Sequence, residues 1–222
     1  MSAEFIAIVD YGMGNVRSVR NAFLALGIPT ELTFIPERLA AARGIVLPGV
    51  GAFGDGMKNL RQRGLVDSLT RLVVKEGKPF LGICLGLQLA AYRSSELGEH
   101  EGLGWLEADV VPLDSPNRSF RIPHMGWNET KVLKSEGLFK DFGAEPVFYY
   151  LHSFHLKPLA AEAGWVAATC THGLEFVSAF EKANMFGVQF HPEKSQEAGL
   201  KLLSNFVAAC NAASPHNAAC QP

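Results

Sequence analysis

The chain is expected to be an α/β protein with a mostly parallel central sheet, helices on both faces and a β-rich extension in its second half. Over the first 95 residues, short apolar runs alternate with segments of helical spacing, as in a parallel sheet buried on both faces. The second half is almost all strand-like runs separated by turns. With 222 residues and 48% hydrophobic content, the chain can fill one large core rather than two small ones.

Residues 5–9 read as a buried strand, and Val16, Val19, Phe23 and Leu26 then recur at helical spacing until Gly27 and Pro29 stop the helix. Residues 31–35 and 44–47 are further strands. Residues 55–76 are helical in composition, with a break at Gly64. A strand over 78–81 then leads into a helical stretch at 85–92. Strands are expected at 105–113, 129–133, 147–151, 165–171, 175–180 and 185–190. Periodicity leaves open whether these prolong the same sheet or form an antiparallel layer beside it. The last helix spans 194–210, with Leu200, Leu203, Val207 and Cys210 on one stripe and Ser195 as its N-cap. Residues 1–210 thus form the domain, and the small-residue segment 211–222 is expected to be a flexible tail.

A net charge of −2 and the lack of any long Lys/Arg cluster exclude an electrostatic footprint for nucleic acid or an anionic membrane. No apolar run reaches the roughly 18 residues of a membrane span, and residues 1–10 do not resemble a signal peptide, so the expected compartment is cytoplasmic. The four cysteines, at 84, 170, 210 and 220, have neither disulfide-framework nor zinc-knuckle spacing.

One of them stands apart. Cys84 lies in Gly82-Ile83-Cys84-Leu85-Gly86, where a strand must turn sharply into a helix. Glycines on both sides permit tight dihedrals, the helix N-terminus favours a thiolate, and the Leu85 N–H is placed for a developing oxyanion. Those five residues alone fit a small buried cysteine equally well. A nucleophile also needs a base, and a strand at 187–190 stops at His191-Pro192-Glu193. Residues two apart in extended chain share a face, so Glu193 can hold the His191 imidazole while His191 shuttles the proton of Cys84.

Two other patterns carry less. Gly49-Val50-Gly51-Ala52-Phe53-Gly54 satisfies GxGxxG, but it follows Pro48 after a strand that is not the first, and no acid ends a strand about 20 residues later. His152 and His155 have a ligand-like spacing without a third ligand, so no metal is expected.

GICLG with Gln88 following, together with GVQFHPE, resembles the class I (triad) glutamine amidotransferases, whose fold is flavodoxin-like. Asp10-Tyr11-Gly12-Met13-Gly14-Asn15, PGVGAFGDGM at 48–57, PHMGWN at 123–128 and Lys194-Ser195 narrow the resemblance to the glutaminase-subunit family of imidazole glycerol phosphate synthases. It covers about residues 5–210. Leu87, where methionine is frequent, and Phe154, where tyrosine is common, depart from the pattern without removing a catalytic group.

The resemblance implies glutamine hydrolysis through a γ-glutamyl thioester on Cys84, with ammonia passed to a barrel-shaped cyclase/synthase subunit in a heterodimer of histidine biosynthesis, and no cofactor. It implies oxyanion donors at Leu85 and Val50, the latter reoriented by a peptide flip that Gly49 and Gly51 make cheap, and so low activity without the partner. It also implies glutamine contacts from Gly51, Gln88, Ser153 and Phe154, and a partner interface at Asn15, Met125, Trp127, Asn128, Tyr149 and Lys194. Gln88, one helical turn past Cys84, faces either pocket or solvent; Trp127 and Tyr149 are either interface or core. A different synthase, such as a sugar-aminating enzyme, and a noncatalytic partner-binding module are the competing readings.

Overall fold

The computed structural model describes residues 5–160 and 163–213. The first half runs β1 (Ile6–Val9), α1 (Val16–Ala25), β2 (Thr30–Thr33), α2 (Pro36–Ala41), β3 (Gly44–Gly49), α3 (Phe53–Gln62), α4 (Leu65–Thr70), β4 (Phe80–Cys84) and α5 (Leu85–Gln88). The break expected at Gly64 is there, with Gly64 left-handed at φ +65°, and α4 is prolonged by a π-type turn over Arg71–Lys75.

Then come β5 (Arg93–Ser94), β6 (His100–Glu101), β7 (Ala108–Pro112), β8 (His124–Glu129), β9 (Lys131–Val132), β10 (Val147–His152), β11 (Phe154–Pro158), β12 (Val166–His172), β13 (Leu174–Lys182), β14 (Met185–Val188) and α6 (Gln196–Ala212).

Strands β2, β1, β3, β4 and β14 pair in that order, all parallel. Beyond β14 the same sheet continues through β13, β11 and β7, each paired antiparallel to its neighbour. Both arrangements that periodicity left open therefore occur. The extension prolongs the central sheet, while β8 and β10 form a separate antiparallel pair.

The sheet is covered on both faces, because successive residues of each central strand point opposite ways. Ala7, Val9, Ile45 and Leu47 meet α2, α3 and α4 on one side; Ile6, Ile8 and Val46 meet α1 and α6 on the other. Strand β14 positions the site. Its Val188 pairs with Ile83, so the next residues, Gln189 to His191, leave the sheet beside Cys84 despite a separation of a hundred positions.

Four expectations need correcting. Residues 34–35 are not strand: the Thr33 hydroxyl accepts the Ile35 N–H at 3.1 Å and Pro36 opens α2, an element the periodicity reading did not anticipate. The helix expected over 85–92 stops after Gln88, because the carbonyls of Leu89, Ala90, Ala91 and Tyr92 accept N–H groups from residues 102–106 instead of from a continuing helix. Ser195 occupies the N-cap position of α6 but does not cap it; its hydroxyl donates to His191 O at 2.6 Å and accepts the Tyr149 N–H at 3.0 Å. Helix α6 reaches Ala212, two residues into the expected tail; residues 214–222 lie outside the described residues. Among the described residues no helix is long and apolar enough to cross a membrane.

Candidate active site

Cys84 ends β4 with φ 53° and ψ −107°, a combination rarely adopted by a residue with a side chain. Such strain costs on the order of 1–3 kcal/mol and persists only where the surroundings impose it. Here a close pass imposes it: a Cβ on Gly86 would lie 1.8 Å from the Leu47 carbonyl oxygen, so the chain after Cys84 runs directly against β3. Cys84 is 6% exposed, and its Sγ is 3.8 Å from Leu151 O. The one-turn α5 contributes a smaller helix dipole at Cys84 than the longer helix expected there.

His191 and Glu193 flank Pro192 in a 3₁₀ turn after β14, and His191 Nδ1 meets Glu193 Oε1 at 2.8 Å, with both side chains 2% exposed. Burial disfavours the imidazolium, but hydrogen bonding and charge from Cys84 and Glu193 outweigh it and push the ring up to about 10. His191 Nε2 is buried and closes no hydrogen bond of standard length, and Cys84 is near enough to contribute to the raised value of the ring.

A raised histidine contributes stability that is complete below its ordinary value near 6.5 and lost as pH rises through about 10. Glu193→Gln should therefore lower stability by about 1–3 kcal/mol at pH 6. That difference should shrink toward pH 10, as read from the Tm of both proteins across the range. A difference that stays constant or grows would break the link between this carboxylate and the ring.

The β3–α3 loop and the Cys84 turn converge on a half-open cavity of about 420 Å³. Val50, Gly51, Cys84, Leu85, Gln88, Ser153, Phe154 and His191 all line it, so the nucleophile candidate, the base, both oxyanion candidates and the four substrate candidates share one space. Gly51 is left-handed at φ +106°. Gln88 is buried and turned inward, its Nε2 donating to Phe154 O at 2.9 Å and to Gln189 Oε1 at 3.0 Å. Glu193, behind His191, is not among the lining residues.

Two residues at the site escaped sequence reading. Gln189 is fully buried, and its Nε2 lies 3.7 Å from Cys84 Sγ. The signal was an amide inside an otherwise apolar run. Glu96 lines the cavity and is the only carboxylate there among the described residues; its Oε2 accepts the Phe53 N–H at 2.7 Å. It is brought in from a loop after β5, which no local pattern announces. That contact also disposes of the dinucleotide reading, since the N-terminus of α3 is already faced by a carboxylate where a phosphate would have to sit.

His152 and His155 do not converge. His152 lines the cavity and reaches Phe154 O at 2.9 Å through Nδ1, whereas His155 is bound to Leu156 O. Among the described residues no group of three or more His, Cys, Asp or Glu is placed to hold a metal ion.

Most of the expected interface residues lie close to this site. Met125 and Trp127 alternate outward on β8, 65% and 49% exposed, so Trp127 is not core. Trp127 pairs with Tyr149 across the strands, the rings meeting edge to face at 5.9 Å, and Lys194 Nζ lies 5.5 Å from the Tyr149 ring. The Tyr149 carbonyl accepts the His191 N–H at 2.8 Å, which ties this outer face to the histidine. Asn15 caps α1, accepting the Ser18 N–H. Asn128 is not brought together with the others; it faces the inner side of β8, bound to Thr171 O and His124 Nε2.

Known proteins share both fold and sequence. PurLQS from Thermotoga maritima superposes with a TM-score of 0.72 at 19% identity, covering 93% of this chain and 99% of the other. The glutaminase domain of Trypanosoma brucei CTPS gives 0.66 at 18% identity, covering 96% of this chain and 95% of the other. These likenesses show the fold. In sequence the chain is 46% identical to imidazole glycerol phosphate synthase subunit HisH of Moorella thermoacetica, over 90% of this chain and 93% of that protein. It is 45% identical to HisH of Rhodopirellula baltica, over 92% and 97%. The family model for class-I glutamine amidotransferases matches residues 7–210, from the first strand through the elbow and the HPE turn to the last helix. The chain therefore belongs to the class-I glutamine amidotransferases, within the family of imidazole glycerol phosphate synthase subunit HisH.

Proposed function

We propose that the chain is the glutaminase subunit of an imidazole glycerol phosphate synthase, hydrolysing glutamine on Cys84 and passing ammonia to a barrel-shaped synthase subunit. The observation that carries the chemistry is that Cys84, His191, Leu85 and Val50 line one cavity, with Glu193 bonded behind the histidine. The choice of synthase rests on the HisH relatives.

Cys84, as thiolate, attacks the side-chain amide carbon of glutamine, and the tetrahedral oxyanion is met by the N–H groups of Leu85 and Val50. His191 holds the proton taken from sulfur and delivers it to the departing nitrogen, so ammonia leaves and a thioester remains. A water then gives its proton to His191 and attacks the thioester, releasing glutamate and restoring the thiol. Glu193 keeps the ring oriented and stabilises its charge. Glutamine arrives as a zwitterion, and Glu96 is the carboxylate placed to meet its ammonium group. Gly51, Gln88, Ser153 and Phe154 line the same cavity and fix the rest of the molecule.

Met125, Trp127 and Tyr149 form the face offered to the partner, next to Lys194, and the Tyr149 backbone connects that face to His191. A glycine-flanked Val50 peptide can change its orientation at low cost, so hydrolysis is slow until the liganded partner sets it. The test is to mix the chain with the cyclase subunit, its phosphoribosyl-carboxamide ribonucleotide substrate and glutamine. Glutamate and imidazole glycerol phosphate should form in equal amounts, with hydrolysis many-fold faster than in the chain alone. Glutamate without the second product would point to another synthase, such as a sugar-aminating enzyme. Full activity in the isolated chain would overturn the gating, and no hydrolysis under any condition would leave a partner-binding module.

A further inference from the structure

We propose that Gln189 is a positioning residue for the nucleophile: its side-chain amide holds the Cys84 sulfur and favours the thiolate, and is itself locked in that orientation by Gln88. This inference rests on Cys84 being the nucleophile.

The hydrogen-bond directions are forced. The Phe154 carbonyl can only accept, so the group of Gln88 that faces it at 2.9 Å must be the NH₂. The same NH₂ spends its second hydrogen on Gln189 at 3.0 Å, so Gln189 presents its oxygen to Gln88. Its own NH₂ is then left pointing at Cys84 Sγ, 3.7 Å away. Reversing Gln88 would set acceptor against acceptor, and reversing Gln189 donor against donor, in a buried place where an unsatisfied group costs about 1–3 kcal/mol.

The chain of bonds continues past Phe154. The same carbonyl faces His152 Nδ1 at 2.9 Å, so that nitrogen carries the proton, and His152 Nε2 accepts from His124 Nδ1 at 3.0 Å. His124 Nε2 in turn accepts from Asn128 at 3.2 Å. Burial lowers the two rings to about 3 and about 4, so they stay neutral and keep these directions at ordinary pH. The outcome at sulfur is two opposed contacts. The Leu151 carbonyl, at 3.8 Å, accepts from the thiol and offers nothing to the thiolate. The Gln189 N–H does the reverse, and a donor to the charged form stabilises it. The titratable groups that act on the same sulfur are His191, with Glu193 behind it, and Tyr11, whose buried hydroxyl is electrostatically coupled to Cys84.

The readout is the pH dependence of iodoacetamide alkylation at the Cys84 peptide, followed by mass spectrometry in the isolated chain. Removing the donor with Gln189→Leu should move the midpoint up by about one pH unit, a tenfold loss of thiolate. Gln189→Glu, which has nearly the same shape but brings acceptors and charge, should move it further. With the partner present, Gln189→Leu should lower kcat roughly 10-fold to 100-fold, with little change in the KM for glutamine. If Gln189→Leu does not fold, Gln189→Met makes the same comparison. A loss of Tm with an unmoved alkylation profile in both variants would mean that Gln189 only fills space, and the proposal falls. Because alkylation needs neither glutamine nor partner, that result stands apart from a wild-type protein that fails to hydrolyse glutamine, which would instead overturn the reading of the site.

Discussion

Cys84→Ala should abolish glutamine hydrolysis in the assembled synthase, a fall of roughly 10⁴-fold or more, while leaving partner binding intact. The size follows from the chemistry: without sulfur no thioester forms, and hydrolysis must proceed by direct water attack with only the oxyanion donors to help. His191→Ala should be nearly as severe, and the double variant no worse than either single one, because nucleophile and base act as a unit. Partner binding is preserved because Cys84 is buried, whereas the candidate docking residues Met125 and Trp127 are exposed and unchanged by the substitution. The comparison needs the rate of glutamate release with the partner and its ligand present, alongside a binding measurement. Unchanged hydrolysis in Cys84→Ala would place the chemistry elsewhere. An inactive wild-type protein that still binds its partner would favour the noncatalytic module.

Gly86→Ala should be a severely damaging single-methyl change beside the nucleophile, costing about 3 kcal/mol or more and lowering Tm by roughly 6–12 °C for a chain of this size. The obstacle is not a movable side-chain tip. A Cβ there would lie 1.8 Å from the Leu47 carbonyl oxygen in β3, so backbone in one of two central strands must move. Because α5 follows Cys84 directly, the displacement also shifts the elbow, and activity should fall further than the loss of folded protein explains. Gly143→Ala is the control: no atom lies within 4 Å of its added Cβ, and its effect should stay within about 0.5 kcal/mol. Thermal unfolding of the three proteins decides the point. A Gly86→Ala protein as stable as the Gly143→Ala protein would show that β3 and the elbow can separate freely.

Much of the site was legible because its chemistry is local. Glycines at 82 and 86 around a cysteine, and a histidine two residues before a glutamate with proline between, each fit in a few positions and restrict what the backbone can do. The strand and helix pattern of the first half was equally readable, since strands buried on two faces and helices with one apolar stripe obey fixed periods.

What escaped was non-local. Leu89 to Tyr92 have helical composition, but their carbonyls are claimed by residues 102–106, a competition no window of sequence contains. Ser195 has the residue type of a helix cap and spends its hydroxyl on His191 and Tyr149 instead. Glu96 enters the cavity from a loop whose residues predict nothing beyond a turn.

The residue types and their spacing were enough to name the nucleophile candidate, its base and the parallel sheet that carries them, since each depends on chemistry within a few positions. They could not say that β14 lies against β4, with Val188 level with Ile83. That pairing brings a run ending in Gln189 and His191 alongside Cys84, and with it the amide that faces the sulfur. Its register is set by how apolar residues far apart in the chain fill one core, a global packing condition that no stretch of sequence states alone.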